Sequence, residues 1–217
     1  MNLMMRLAYK PSRTLLLVQL SAVLLYAWFD GPGGHLVLSA ISVGVLSAAV
    51  LMVRRSPRET WIALALAVLG VAAFGLYRLT GNTSLGVIGA AGYAAAFFYS
   101  AVALIGYMLQ DERTTVDEMW AAGATFMLFA EAYAWLFMGL QLLRPDAFVI
   151  PGATGELSWV QLLFLSSTNF SATGLSDIYP AIPHARVLLI VEQWNGVMYM
   201  AIVVARLAGM MRSRARH

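Results

Sequence analysis

Six long apolar runs leave this chain few ways to fold. They are residues 14–29, 36–53, 61–77, 85–109, 119–143 and 187–211. A helix needs about 20 mostly apolar residues to cross a hydrocarbon core about 30 Å thick. In lipid, backbone polar groups must be hydrogen bonded within the protein, so spanning segments of this kind must be helices. The sequence therefore predicts an all-α membrane protein with six transmembrane helices.

Composition excludes several other classes of protein. Apolar residues make up 60% of the chain and charged residues 12%, whereas soluble domains contain about 45–50% and about 25%. The absence of cysteine removes disulfides, thiolate metal sites and cysteine nucleophiles. We find no zinc-protease, phosphate-loop or nucleophile-elbow motif. We therefore expect no enzyme activity and no cofactor.

Basic residues predict the orientation of the chain in the membrane. Eleven of the 14 lysine and arginine residues lie at the two ends and in the loops after the second and fourth runs. Cytoplasmic loops carry such an excess, so both termini are expected to be cytoplasmic, including a basic tail at residues 212–217. This asymmetry explains the basic isoelectric point without a nucleic-acid partner.

A polar stretch at residues 110–115 divides the chain into two predicted domains. Residues 1–110 form a four-helix transmembrane domain, and residues 116–211 form a second domain of different pattern. The fourth run contains no lysine or arginine, which excludes the usual voltage sensor because that device needs several charges in the membrane. The glycines at 86–92 are interpreted as sites of close helix packing.

The second domain contains a short apolar run, residues 159–165, between its two spans. Seven residues cannot cross a membrane, so this run is expected to be a re-entrant helix. Ser158 and Gln161 fit a capping box, which predicts that the helix begins there and runs towards Asn169. A polar, glycine-containing segment follows it and ends at Asp177.

Short motifs surround this segment. They are Thr115-Val116-Asp117, Ser176-Asp177-Ile178-Tyr179-Pro180, Ala185-Arg186, Glu192, Gly196, Tyr199 and Ala205-Arg206-Leu207. With the order of elements, they resemble the pore module of tetrameric potassium channels over residues 116–209. They are most similar to bacterial six-span proteins with a two-helix ion-channel module. The resemblance implies a homotetramer in the bacterial inner membrane, with lipid and permeant inorganic ions as its partners and no metal beyond those ions.

The selectivity filter that the resemblance implies departs from the potassium signature Thr-Val-Gly-Tyr-Gly. It comprises Ser171, Ala172, Thr173, Gly174, Leu175, Ser176 and Asp177. Ala172 and Leu175 each remove a hydroxyl group, and Ser176 replaces a glycine expected at positive φ, at a cost of about 1–2 kcal/mol. We therefore expect a reshaped filter of weak selectivity. A ring of Asp177 carboxylates would favour cations.

Several residues within the spans are candidates for functional roles. Glu131 and Glu192 are expected to lie behind the filter, either titrating or hydrogen bonded to neighbours such as Asn195 or Ser167. Gly196 is expected to act as a gating hinge or as a point of close helix packing. Arg206 is expected to anchor its helix at the cytoplasmic interface or to place a charge at an inner gate.

Passive conduction of monovalent cations through a central tetrameric pore is the function that the sequence favours. One alternative is a non-conducting, channel-derived membrane sensor or partner subunit. Another is a transporter that works by alternating access, although the first four runs lack the paired broken helices that such proteins usually show.

Overall fold

The computed structural model describes residues 11–29, 35–54, 56, 58–110, 116–153 and 155–214. Within these residues the chain forms seven helices and two short strands. They are α1 (Pro11–Phe29), α2 (His35–Val53), α3 (Thr60–Thr80), α4 (Thr83–Met108), α5 (Val116–Leu143), β1 (Phe148–Val149), α6 (Trp159–Phe170), β2 (Tyr179–Pro180) and α7 (Pro183–Arg214). Most of the predicted domain boundary, at 111–115, and the end of the predicted basic tail, at 215–217, lie outside the described residues.

All six predicted apolar runs are helical. In the part of the chain that the structure describes, four helices are long and apolar enough to cross a membrane: α3, α4, α5 and the Pro183–Arg206 portion of α7. The other two, α1 and α2, contain the shorter apolar helical stretches Ser12–Tyr26 and Ala40–Val53. The protein is therefore α-helical, with several helices suited to a bilayer.

Glycines allow α3 and α4 to approach each other closely. A Cβ atom at Gly70 would lie 2.7 Å from the backbone nitrogen of Tyr93, and one at Gly92 would lie 2.7 Å from the nitrogen of Gly70. A methyl group at Gly89 would overlap the backbone of Phe74. The interpretation of the glycines in α4 as packing sites is confirmed.

Contacts between aromatic rings connect α1 and α4 with α5 and α6. The rings of Tyr93 and Trp135 are stacked with centroids 4.1 Å apart. The centroid of Trp135 lies 4.5 Å from that of Trp159 at the start of α6. The rings of Trp159 and Tyr26 on α1 are T-shaped, with centroids 6.5 Å apart. The start of α6 is thus packed between α5 and the amino-terminal helices.

A two-stranded antiparallel ladder holds the loop after α5 against the chain that leads into α7. Phe148 pairs with Pro180 and Val149 with Tyr179. The amide of Ala181 also donates to the carbonyl of Ala147, at 2.9 Å. These bonds fix both ends of the segment that contains α6, so the residues between α6 and β2 are held in place from two sides.

Candidate functional site

The start of α6 has the capping box that the sequence predicts. The amide of Gln161 donates to Ser158 Oγ at 3.3 Å, and the amide of Ser158 donates to Gln161 Oε1 at 2.8 Å. Gln141 on α5 adds two buried bonds to the backbone of Leu157, one to its carbonyl and one from its amide. The first residue of α6 is therefore fixed both by its own cap and by α5.

A left-handed turn ends α6. Ala172 has a φ of 59°, its amide donates to the carbonyl of Asn169, and the amide of Thr173 donates to the carbonyl of Thr168, each at 3.0 Å. These two bonds and the left-handed residue define a Schellman motif, in which glycine is the usual occupant of the position that Ala172 holds. The predicted filter thus begins with a helix cap.

The carbonyl oxygen of Thr168 accepts hydrogen bonds from four donors of the following turn. The amides of Thr173 and Gly174 approach it at 3.0 Å. The hydroxyl groups of Ser171 and Thr173 approach it at 3.1 Å. The first residues of the predicted filter therefore fold back over the end of α6, and this carbonyl is occupied by the chain itself.

Ser176 does not have the positive φ that the corresponding glycine of a potassium filter is expected to have. Among the described non-glycine residues, positive φ occurs at Ala172 and not at Ser176. The Ser176 side chain instead accepts a hydrogen bond from the amide of Ile178, at 3.1 Å. The non-glycine residue with positive φ in this segment lies four residues earlier, at Ala172 at the end of α6.

Five of the seven predicted filter residues are exposed on the surface of one subunit. They are Ala172, Thr173, Gly174, Leu175 and Asp177. Leu175 is 76% exposed, in keeping with the expectation that leucine cannot anchor the segment as a tyrosine hydroxyl would. The segment is therefore held by its two ends, with its central side chains projecting from the subunit.

Glu192 joins α7 to the last turns of α6. Its carboxyl group is fully buried. Oε1 lies 2.6 Å from Ser166 Oγ, and Oε2 accepts a bond from the Asn169 side chain at 2.5 Å. The partners named from the sequence are wrong: Asn195 bonds to the hydroxyl of Tyr133 instead, at 3.2 Å.

Glu131 is also buried, at 1% exposure, but its surroundings differ. Neither carboxyl oxygen has a hydrogen-bond partner within the part of the chain that the structure describes. The residue follows Ala130, whose carbonyl accepts a bond from Ser166 Oγ at 2.7 Å. It lies within electrostatic range of Tyr26 on α1. Glu131 is therefore a buried carboxyl group that faces Tyr26 of α1.

Gly196 is a point of close contact between α7 and the end of α6. It is buried, and a methyl group there would overlap the carbonyl oxygen of Phe170. Helix α7 continues through this position without a break. The structure thus gives the packing interpretation of Gly196 a definite partner.

Two acidic residues at the start of α5 bond to three other helices. These bonds were not predicted from the sequence. Glu118 forms an ion pair with Arg206 of α7 at 3.1 Å, with side-chain exposures of 6% and 23%. Asp117 accepts bonds from Ser12 of α1 at 2.7 Å and from Tyr107 of α4 at 3.1 Å. The acidic pair in the first turn of α5 was a visible signal, but its partners lie up to 105 residues away.

The described residues include no group of three or more histidine, aspartate or glutamate side chains arranged to hold a metal ion. Polar groups at the site are instead hydroxyl, amide and carboxyl groups that bond to each other and to the backbone. Such an arrangement can fix a backbone segment in place.

A family model described as ion channel matches residues 119–213, slightly less than half of the chain. The match includes α5 from Met119 onward, α6, the segment 171–177 and α7 up to one residue before its end. No curated protein and no solved structure matches the chain. The match supports an ion channel.

Proposed function

We propose that four copies of this chain form a channel that conducts monovalent cations passively across a bacterial inner membrane. Six helices of each copy span the membrane with both termini in the cytoplasm. Residues 1–110 and 116–211 act as separate domains, and the chain carries out no covalent chemistry. The observation that carries the proposal is the short helix α6, packed between α5 and α7 and followed by an exposed segment that ends at Asp177, all within the ion-channel match.

The exposed face of α7 supports assembly around an axis. Trp194 is 69% exposed and Met198 is 68% exposed in the single subunit. One subunit supplies two lining helices and one filter segment, so it cannot enclose a pore alone. Closed rotational symmetry gives each copy the same neighbours, and it would cover these apolar side chains or place them along the pore.

Charge supports the choice of cations. Asp177 is exposed at the end of the segment that follows α6, and a ring of four carboxylates attracts cations. The carboxyl end of α6 is the negative end of a helix dipole, which also favours cations. We propose weak selectivity because the turn at Ala172 replaces the start of an extended filter, so fewer carbonyl oxygens are available to replace the water around an ion.

Glu131 and Glu192 are proposed to titrate and so to make conduction depend on pH. Both are buried; Glu192 bonds to α6, whose end precedes the filter segment, and Glu131 follows Ala130, whose carbonyl bonds to α6. A Glu131→Gln variant removes the titrating proton with little change of volume. We expect it to flatten part of the pH–current curve, and an unchanged curve would remove Glu131 from this role.

One observation favours the non-conducting alternative. The Thr168 carbonyl, at the end of α6, is occupied by four donors of its own chain. A segment closed on itself in this way is also what a sealed, channel-derived subunit would contain. The two functions differ in a single measurable property, the passage of ions.

Ion uptake into liposomes distinguishes them. Purified protein is expected to admit potassium and sodium at similar rates, with anions excluded. An Asp177→Asn variant should slow cation uptake, most strongly at low salt because ions screen exposed charges. Asp146→Asn is the matched control, since Asp146 is exposed but is paired with Arg144 in the loop after α5. Tetrameric protein that admits no ions would favour the non-conducting subunit.

A further inference from the structure

The hydrogen bonds around Glu192 show how many protons this group of side chains must carry. Ser166 Oγ lies 2.7 Å from the carbonyl oxygen of Ala130 and 2.6 Å from Glu192 Oε1. A serine hydroxyl has one proton and a carbonyl oxygen has none. Ser166 must therefore donate to Ala130 for the first contact to be a hydrogen bond. The proton in the second contact must then come from the carboxyl group of Glu192.

The contacts of the other carboxyl oxygen agree with this count. The side-chain nitrogen of Asn169 lies 2.5 Å from Glu192 Oε2 and 3.0 Å from the carbonyl oxygen of Leu189. An amide NH₂ group has two protons, one for each of these acceptors. A carboxylic acid that donates through Oε1 and accepts through Oε2 thus satisfies every polar atom in the group.

We propose that Glu192 is a carboxylic acid whose proton, donated to Ser166, positions the end of α6 and the filter that follows it. This deepens the proposed channel function and, for its effect on conduction, rests on it. The chain of donors runs from Glu192 on α7 to Ser166 on α6 and on to the Ala130 carbonyl on α5. Glu192 is a positioning residue, since it acts through α6 and does not contact the segment 171–177.

The position of α6 matters because its last turns hold the filter. Ser166 and Asn169, which contact Glu192, lie on either side of Thr168 in the sequence. The carbonyls of Thr168 and Asn169 accept the bonds that form the turn at Ala172. A shift of α6 against α7 would therefore displace the first residues of the filter.

Few charged or titratable groups surround Glu192. Helix α6 carries none from Trp159 to Phe170. Helix α5 presents Tyr133, which interacts electrostatically with Glu192, and Glu131. Arg186 on α7 bonds to the carbonyl of Pro180, and Asp177 is exposed. Within the described residues no basic side chain forms an ion pair with Glu192.

Loss of the Glu192 proton would interrupt the two successive hydrogen bonds from Glu192 to Ser166 and from Ser166 to the Ala130 carbonyl. Ser166 could then donate either to the Ala130 carbonyl or to the carboxylate, and one of the two contacts would be lost. A buried carboxylate without a basic partner is also costly. Alkaline conditions should therefore loosen α6 from its neighbours and reduce conduction.

A Glu192→Gln variant tests the role of the proton. The amide group of glutamine can donate to Ser166 Oγ while its oxygen accepts from Asn169, so both contacts are kept without an ionisable proton. Cation uptake and the thermal unfolding midpoint should fall as pH rises in the wild type, and should fall less steeply in Glu192→Gln, which keeps only the contribution of Glu131. At neutral pH, cation uptake by Glu192→Gln should remain within about twofold of wild-type uptake, because the hydrogen bonds are preserved.

Two results of this comparison would overturn the proposal. One is a folded Glu192→Gln variant that has lost cation uptake at neutral pH, which would mean that conduction uses a negative charge there. The other is a variant that depends on pH as strongly as the wild type does. A Ser166→Ala variant, which removes the bridging hydroxyl, should unfold at a lower temperature than wild type throughout the pH range.

Infrared spectroscopy tests the protonation without any current. The wild type should show a carboxylic-acid carbonyl band that disappears in Glu192→Gln and shifts in Ser166→Ala, because the hydrogen bond changes. Glu131→Gln is the control, since it should leave this particular band in place. If neither the wild type nor any variant passes ions but the band changes as described, the channel function is disproved and the role of Glu192 is supported. If neither Glu192→Gln nor Ser166→Ala alters the band, the inference is wrong.

Discussion

At the scale of single residues, Ala172 places a Cβ atom where the backbone favours glycine. Its φ of 59° is in the left-handed region, which costs a residue with a side chain about 1–2 kcal/mol. We expect Ala172→Gly to stabilise each subunit by about 1 kcal/mol, since the gain is partly offset by the greater freedom of glycine in the unfolded chain. Thermal unfolding in detergent measures the change.

The control for this substitution is Ala181→Gly. Ala181 is also exposed and has no positive φ, so glycine there should lower the unfolding midpoint or leave it unchanged. An Ala172→Gly variant that unfolds at the same temperature as wild type would show that the turn at the end of α6 is not strained.

The two buried glutamates should respond in opposite directions to removal of the carboxyl group. Glu131 has no hydrogen-bond partner within the described residues, so Glu131→Met should leave stability unchanged or raise it, because buried polar groups are costly when unpaired. Glu192→Met should lower stability because Ser166 and Asn169 lose their partner. Unfolding midpoints of the two variants provide the comparison, and a large loss in Glu131→Met would show that this carboxyl group has an important partner.

Residue-level predictions from the sequence succeeded where the interaction is local. The capping box of Ser158 and Gln161 joins residues three positions apart, so the sequence alone contains it. The partners of Glu192 are 23 and 26 residues away and depend on how α6 is rotated against α7, which no spacing rule provides. The resemblance placed a positive φ at the position that Ser176 occupies, and the structure has positive φ at Ala172 and Gly174 instead.

At the scale of helices, Gly196 determines how closely α7 approaches the end of α6. A methyl group there would overlap the carbonyl oxygen of Phe170, so we expect Gly196→Ala to push the two helices apart and lower the unfolding midpoint. Gly75→Ala in α3 is the matched control. Nothing lies within 4 Å of its added Cβ, so alanine should stabilise that helix by about 0.5–1 kcal/mol. If both variants gained stability, the close contact at Gly196 would be disproved.

The ion pair between Glu118 and Arg206 should couple α5 and α7 at the end of the bundle opposite the filter. Both side chains are largely buried, so a double-mutant cycle with Glu118→Gln and Arg206→Gln should give a coupling energy of about 1–3 kcal/mol. The same cycle on Arg144 and Asp146, which are more than half exposed, should give less than about 1 kcal/mol. Equal coupling in the two pairs would contradict this assignment.

Helix positions followed from the sequence because apolar runs and caps are local signals. Contacts between helices did not, because they depend on the rotation and crossing of each helix. Arg206 shows the difference, since its sequence position indicated only an interfacial anchor or a gate charge. Its actual partner is 88 residues away.

At the scale of the whole molecule, the amino-terminal helices are joined to the channel-like half at several places. Asp117 binds α1 and α4 at one end, and the contacts between aromatic rings reach Trp159 at the start of α6. The sequence indicated two domains but gave no reason for their association. Through these contacts α1 and α4 can stabilise both α5 and α6, the helix that precedes the predicted filter.

Planar-bilayer recording of the purified protein tests the central claim, a cation-conducting tetramer, most directly. With unequal potassium chloride concentrations on the two sides, the account predicts a reversal potential near the cation limit. Exchange of potassium for sodium on one side should then shift that potential only slightly. A reversal potential on the anion side, or no current from protein shown to be tetrameric, would contradict the account.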